Sequence, residues 1–212
     1  MLVGPVHEYI DSLIPASTGI FAEIETYAMK HNVPIMEREG IEAMLQLLRI
    51  KKPERILEIG TAIGYSALRI AHALPQVRIV TIERDEDRLN MAKNYIEKAD
   101  KSAQIVTILG DALETESQIK QYGLFDTVFI DAAKGQYRRF FEIYSKMLAP
   151  GGVIVTDNVL YKGLVAETAV ENKRTRNLVK KIDDFNKWLM NHPEFHTTIL
   201  PVGDGVAISM KR

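Results

Sequence analysis

From Arg55 onward the chain alternates two hydrophobic patterns: short continuous apolar runs rich in branched residues, each followed by a stretch in which apolar residues recur at helical spacing. The runs predict strands at Arg55–Ile59, Arg78–Ile82, Ile105–Leu109, Phe125–Ile130 and Gly152–Thr156. The amphipathic stretches predict helices at Tyr65–Leu74, Glu86–Ala99, Leu113–Gln121 and Tyr137–Leu148. Such alternation specifies a doubly wound, mostly parallel α/β sheet of Rossmann-like type. Three helical segments come first, at about Pro5–Ile14, Thr18–Asn32 and Glu37–Ile50, the last with Ile41, Met44, Leu45 and Leu48 on one face. A polar-faced helix near Asn172–Asn191 precedes two further strand-like runs, Thr197–Val202 and Val206–Met210, on either side of Gly203-Asp204-Gly205. An Asp-Gly tip between alternating runs signals a hairpin, so the seven-stranded sheet is expected to close with an antiparallel pair.

The 212 residues, 46% of them apolar, suit one domain with residues 1–50 as a helical extension packed on it. No basic stretch followed by an apolar core opens the chain, and no apolar run approaches the ~20 residues of a membrane span. The expectation is a cytoplasmic protein without a membrane partner. Absence of cysteine excludes disulfides, Cys-ligated zinc and a thiol nucleophile. The net charge of −1 argues against indiscriminate binding of polyanions, yet the segment from Lys134 to Lys181 carries ten Lys/Arg against four Asp/Glu, enough for a local basic face.

Chemistry concentrates where the predicted strands end. Asp131 follows one strand and Asp157-Asn158 another, and adjacent strands of an open α/β sheet bring such ends together at the ligand-binding edge. Two carboxylates and an amide oxygen suit Mg²⁺ or Mn²⁺. Taken singly, each of these residues also serves simply to start a turn after a strand. Glu58-Ile59-Gly60-Thr61-Ala62-Ile63-Gly64 marks the first strand–helix turn, where glycine lets backbone approach a ligand. Its spacing differs from the G-x-G-x-x-G fingerprint that holds a pyrophosphate, which favours a nucleoside without phosphates. Glu83 ends the second strand, 23 positions after Gly60, where it can accept from both ribose hydroxyls; alternatively it is an ordinary helix-start acid. Asp111 ends the third strand, placed to accept from an adenine amino group. The five histidines make no H-E-x-x-H spacing, and neither a G-x-S-x-G nor a Walker lysine motif occurs.

With these motifs in hand, the sequence resembles the class I S-adenosylmethionine-dependent methyltransferases, and within them the metal-dependent O-methyltransferases that include the catechol and caffeoyl-CoA enzymes. The resemblance runs from about Met36 to the C-terminus. It is carried by Glu58 through Gly64, Tyr65-Ser66, Glu83, Gly110-Asp111-Ala112, Asp131-Ala132-Ala133-Lys134-Gly135-Gln136-Tyr137, Pro150-Gly151-Gly152, Asp157-Asn158-Val159-Leu160 and Pro201 to Gly205. It implies S-adenosylmethionine held by Met36, Glu58, Gly60, Gly64, Ser66, Glu83, Asp111, Ala112 and Asp131, and Mg²⁺ or Mn²⁺ held by Asp131, Asp157 and Asn158. Asp131 and Lys134 keep the family's Asp-x-x-Lys pattern. Lys134 is then placed to take the acceptor proton or to steady the oxyanion as an ammonium, unless it is a solvated loop lysine. The apolar N-terminal helices, and the habit of related enzymes, point to a homodimer.

A chelating cation favours an acceptor with two neighbouring oxygens, as in a catechol or in 5-hydroxyuracil. The stretches Ile14 to Gly19 and Ile35 to Gly40 look most like the bacterial tRNA 5-hydroxyuridine methyltransferases, which make 5-methoxyuridine at the wobble position. Physical support comes from Arg138, Arg139, Lys162, Lys173, Arg174, Arg176, Lys180 and Lys181, which could meet phosphates of the tRNA anticodon loop, while Tyr161 could stack on a splayed base. A basic helix face is equally well explained by solvation. The rivals are an O-methyltransferase of small phenols and, from another class, a nucleotide-binding redox protein on the same fold.

Overall fold

A computed structural model describes residues 4–167 and 169–212; the first three residues, part of the segment read above for a leader, and Thr168 lie outside it. Three helices, α1 (Pro5–Leu13), α2 (Gly19–His31) and α3 (Arg38–Lys51), precede a seven-stranded sheet. Strands β1 (Arg55–Ile59), β2 (Arg78–Glu83), β3 (Ile105–Leu109), β4 (Phe125–Ile130) and β5 (Leu148–Thr156) pair in parallel in the order β3-β2-β1-β4-β5. Helices α4 (Tyr65–Ala73), α5 (Glu86–Lys98), α6 (Glu116–Lys120) and α7 (Tyr137–Tyr144) connect them. After α8 (Lys173–Met190), β6 (Phe195–Leu200) and β7 (Val206–Lys211) form a hairpin, and β7 docks antiparallel between β5 and β6. No helix among the described residues is long and apolar enough to cross a membrane.

The sheet separates two cores. One joins β1 to α2–α5 through residues such as Ile24, Ile41, Leu45, Leu48, Ile56 and Leu68; the other joins β4 and β5 to α7 and α8 through Phe141, Tyr144, Ile154, Phe185 and Leu189. The central strands β1 and β4 are buried on both faces, as a sheet covered on both sides requires, whereas the edge strands β3 and β6 leave residues exposed. By contrast α1 buries no residue and leaves Tyr9 and Leu13 exposed. It is tied to α3 by polar contacts: His7 to Glu39 at 2.6 Å, and Arg38 to Asp11 at 3.3 Å and to the Ile14 carbonyl at 2.7 Å.

Four elements differ from the sequence pattern by more than one residue. α7 stops at Tyr144 rather than Leu148 and passes through a 3₁₀ turn at Ser145–Met147 into β5. The helix expected from Leu113 shrinks to Glu116–Lys120, because Asp111 captures the first N–H groups in a turn: its Oδ1 accepts from Leu113 (2.8 Å) and its carbonyl from Glu114 and Thr115. β5 starts four residues early, at Leu148, with a register irregularity that accommodates Pro150 and the left-handed Gly151. β6 begins at Phe195, whose side chain is buried in the second core, and stops before Pro201, which has no N–H to give the ladder.

Candidate active site

The strand register assembles the site. Ile59 is level with Ile82 and with Ile130, and Ile130 with Thr156, so the next residue of each strand, Gly60, Glu83, Asp131 and Asp157, stands in one row across four strands. Backbone bonds continue the row: Gly60 N–H to Ile82 O (3.0 Å), Asp131 N–H to Ile59 O (2.9 Å) and Asp157 N–H to Ile130 O (3.0 Å). The row crosses the boundary between β1 and β4, where the strand order reverses, the usual crevice of a doubly wound fold. A cleft of about 550 Å³ opens there.

One wall is made by β1, β2 and β3. Gly60 (φ 103°) passes so close to β4 that a Cβ would lie 2.0 Å from the Asp131 carbonyl oxygen, and any side chain would push the two strands apart. The Glu83 carboxylate accepts from three backbone N–H groups, Ala62 (2.8 Å), Arg84 (3.0 Å) and Asp85 (3.0 Å), which fix it at the cleft wall. Asp111 and Ala112 follow β3 on the same wall, and buried Met36 closes it from the segment before α3. Glu58, Gly64 and Ser66, expected at the cofactor, lie beneath the lining rather than in it. Ser66 Oγ donates to Glu58 Oε1 (2.5 Å), Thr81 donates to the other oxygen, and burial pushes the Glu58 carboxyl up to about 7. Gly64 gives room to α5: a Cβ there would sit 3.2 Å from that of Ala92.

The other wall is made by β4, β5 and the loop after β5. Asp131, Lys134, Asp157, Asn158, Tyr161 and Lys162 all line it. Asn158 Nδ2 donates to Asp157 Oδ2 (3.1 Å), Lys134 Nζ donates to Asn158 Oδ1, and the Tyr137 hydroxyl holds the Asp157 carbonyl (2.8 Å). Burial, and then the charge of Asp131, lift the Asp157 carboxyl well above the carboxylate range, against an Asn158 N–H and the Lys134 ammonium. Burial likewise raises Asp131, with Lys134 opposing. Two repelling carboxylates in a place poor in water, beside an amide oxygen already drawn to an ammonium, form a donor set that a hard divalent cation fits. The set depends on the amide: among the described residues no group of three or more His, Cys, Asp or Glu is arranged for a metal. Arg174 and Arg176 are in the first turn of α8 and do not line the cleft. Lys181 of the same helix reaches the site's rim, its Nζ 3.7 Å from where a Cβ of Gly135 would stand.

Several lining residues are given no role at the site by the sequence pattern, although Glu37, Gln136 and Asp204 fall within its motifs: Glu37, Arg84, Arg88, Gln136, Phe140 and Asp204. Arg84 directly follows Glu83, and that adjacency is the available signal. Asp204 reaches the cleft only because β7 runs antiparallel to β5 with Ala207 level with Thr156, a pairing that no local pattern specifies.

A family model described as O-methyltransferase matches residues 14–212. Among relatives, the flavonoid 3',5'-methyltransferase of Vitis vinifera is 30% identical over 95% of this chain and 86% of its own length. The catechol O-methyltransferase of Niastella koreensis is 31% identical over 95% and 91%. Among solved structures, a candidate caffeoyl-CoA O-methyltransferase from Staphylococcus aureus superposes with a TM-score of 0.91 at 37% identity, covering 97% of this chain and 99% of that one. An O-methyltransferase from Bacillus cereus in complex with SAH gives 0.83 at 28% identity, covering 98% and 97%.

Proposed function

This chain belongs to the S-adenosylmethionine-dependent O-methyltransferase family, of the catechol and caffeoyl-CoA type, and from that premise we propose that, with Mg²⁺ or Mn²⁺, it methylates the 5-hydroxyl of 5-hydroxyuridine at the tRNA wobble position, giving 5-methoxyuridine. The observation that carries the metal-assisted chemistry is the meeting of Asp131, Asp157, Asn158 and Lys134 on one wall, facing Gly60, Glu83 and Asp111 across a single cleft.

Methyl transfer to oxygen needs an in-line approach and an acceptor that gives up its proton. Gly60, Ala62, Glu83, Asp111, Ala112 and Met36 would hold S-adenosylmethionine: the Glu83 carboxylate would take the ribose hydroxyls, and the Asp111 segment the adenine. Asp131, Asp157 and Asn158 would hold the cation, which when bound supplies a Lewis acid that lowers the pKa of an acceptor hydroxyl and fixes its direction. Lys134 Nζ, at Asn158 Oδ1, would hold the oxyanion by its charge, or, with its own proton released beside a bound cation, would receive the acceptor's. The walls confine both partners, so that positioning supplies much of the rate.

The tRNA acceptor draws support from the basic rim. Arg84, Arg88 and Lys162 line the cleft, Lys181 stands at the loop that carries Lys134, and α8 packs on that same loop. A uracil ring with a 5-hydroxyl offers two adjacent oxygens, its own and O4, to one cation, and Tyr161 lies within the same wall for stacking. A homodimer belongs to this reading, with the exposed Tyr9 and Leu13 of α1 as its support. A second reading, methylation of small catechols, is favoured by the names of the relatives. Labelled S-adenosylmethionine offered with Mg²⁺ and either tRNA lacking the wobble methyl group or catechol decides between them. Label in tRNA is expected; label in catechol alone would replace the tRNA reading with the second.

A further inference from the structure

The loop that carries Asn158 is held in an unfavourable backbone. Asn158 (φ 58°), Tyr161 (φ 45°) and Lys162 (φ 56°) are left-handed although each carries a Cβ, and Gly163 (φ 76°) follows. Such conformations persist where the surroundings over-determine them. Here the surroundings are the tip of the β6–β7 hairpin. Val159 N–H donates to Gly205 O (3.0 Å), Leu160 N–H donates to Asp204 O (2.9 Å), and Lys162 N–H donates to the Asp204 carboxylate. The tip has little freedom of its own: a Cβ on Gly205 would fall 2.3 Å from Leu160 Cγ, and one on Gly203 would fall 3.2 Å from the Gly40 backbone nitrogen in α3. It is therefore wedged between the start of α3, next to Met36, and the loop after β5.

The Asp204 carboxylate stands close enough to Asp157 and Glu37 for its charge to act on both. Among the described residues, the hydrogen bond its side chain makes is to the loop. We propose that Asp204 is a positioning residue for methyl transfer: by holding the Lys162 N–H it sets the left-handed turn that presents Tyr161 and Lys162 to the acceptor and anchors Asn158 at the head of the same loop. The proposal rests on the cleft being the methyl-transfer site and is independent of which acceptor it serves.

The test compares Asp204→Ala with Asp204→Asn, which keeps an oxygen acceptor and loses the charge. Amide hydrogen exchange of residues 158–163, measured without metal or cofactor, is expected to accelerate about tenfold to a hundredfold in Asp204→Ala, the range for losing a bond to a charged acceptor. Turnover of tRNA bearing 5-hydroxyuridine at the wobble position, or of catechol, should fall by about the same factor, while S-adenosylmethionine affinity stays within about twofold. Asp204→Asn should restore most of the protection and most of the turnover. If Asp204→Ala loses its cooperative melt, Asp204→Gly takes its place. Wild-type exchange in the Ala or Gly variant, or an Asn variant that exchanges as fast as they do, overturns the proposal. If the wild type methylates neither acceptor, the functional reading fails while the exchange comparison still decides the role of Asp204.

Discussion

The two walls of the cleft are built on different principles. On the wall proposed for the cofactor, functional groups sit at or within two residues of the ends of parallel strands, and the Glu83 side chain is pinned there by three backbone N–H groups. On the acceptor side, Asp131 and Asp157 share the strand-end row, but Tyr161 and Lys162 ride on a left-handed loop clipped to an antiparallel hairpin. The first wall is a by-product of the sheet; the second is assembled from segments distant in sequence. The cofactor wall can therefore remain fixed while the acceptor wall is respecified, as expected of a family whose relatives bear the names of different acceptors.

The sharpest break between the walls should come from Asp157→Ala. Turnover is expected to fall by about 100- to 1,000-fold, the cost of losing one group that manages charge at the reacting centre. S-adenosylmethionine affinity, measured by calorimetry, should hardly move, and EDTA should mimic the variant until Mg²⁺ or Mn²⁺ is returned. Equal loss of binding and turnover would merge the two walls into one.

Glu58 offers a pH test of the cofactor side. Its carboxyl stands at about 7 in the folded protein against an ordinary 4.5, so the folded state binds the proton more tightly than the unfolded one. Stability of the ligand-free protein should then fall as pH rises from about 4.5 to 7 and level off above, by on the order of 3 kcal/mol from this group. Glu58→Gln should remove that part of the slope, with the hydroxyls of Ser66 and Thr81 turning to suit the amide. The variant is expected to match the wild type at about pH 5 and to melt higher at about pH 8. A wild type as stable as the variant at the higher pH would place Glu58 as an unperturbed acid.

Smaller still, Glu83→Ala should weaken S-adenosylmethionine by about 1–3 kcal/mol while leaving cation binding intact, and Glu83→Gln should recover part of the loss. Calorimetric titrations that do not distinguish the variant from the wild type would reduce Glu83 to a turn-forming acid. The smallest effect belongs to the outer rim. Replacing Arg174 and Arg176 by Ala should change the log–log salt slope of tRNA binding by about 0.7–0.9 for each phosphate that is no longer neutralised. An unchanged slope would confine phosphate binding to the cleft itself or reject it.

The same contrast explains what the sequence discloses. β1, β3 and β4 match the expected strands residue for residue, because each is a short run rich in branched or aromatic residues that ends at a glycine or aspartate starting the next turn. The row Gly60, Glu83, Asp131 and Asp157 is legible for that reason. Glu58 and Ser66 are not separable by pattern from lining residues, since only the inward turn of their side chains puts them under the floor. Asp204 is visible in the sequence as part of a hairpin but not as part of the site, because its place depends on the pairing of β7 with β5. The shortened α6 is hidden from helical periodicity by an Asp111 side chain that competes with the helix for N–H groups.

The left-handed backbone at Tyr161 and Lys162 also limits how the acceptor range can be redesigned. At these positive φ angles the accessible alphabet is narrow: asparagine, aspartate, histidine and glycine enter readily, whereas valine, isoleucine and threonine meet a steric penalty before touching any substrate. A library at these two positions that samples all residues evenly would spend many members on chains that reopen the loop. Diversity placed at Glu37 or Gln136, which line the same cleft from ordinary backbone, would explore acceptor shape without that penalty.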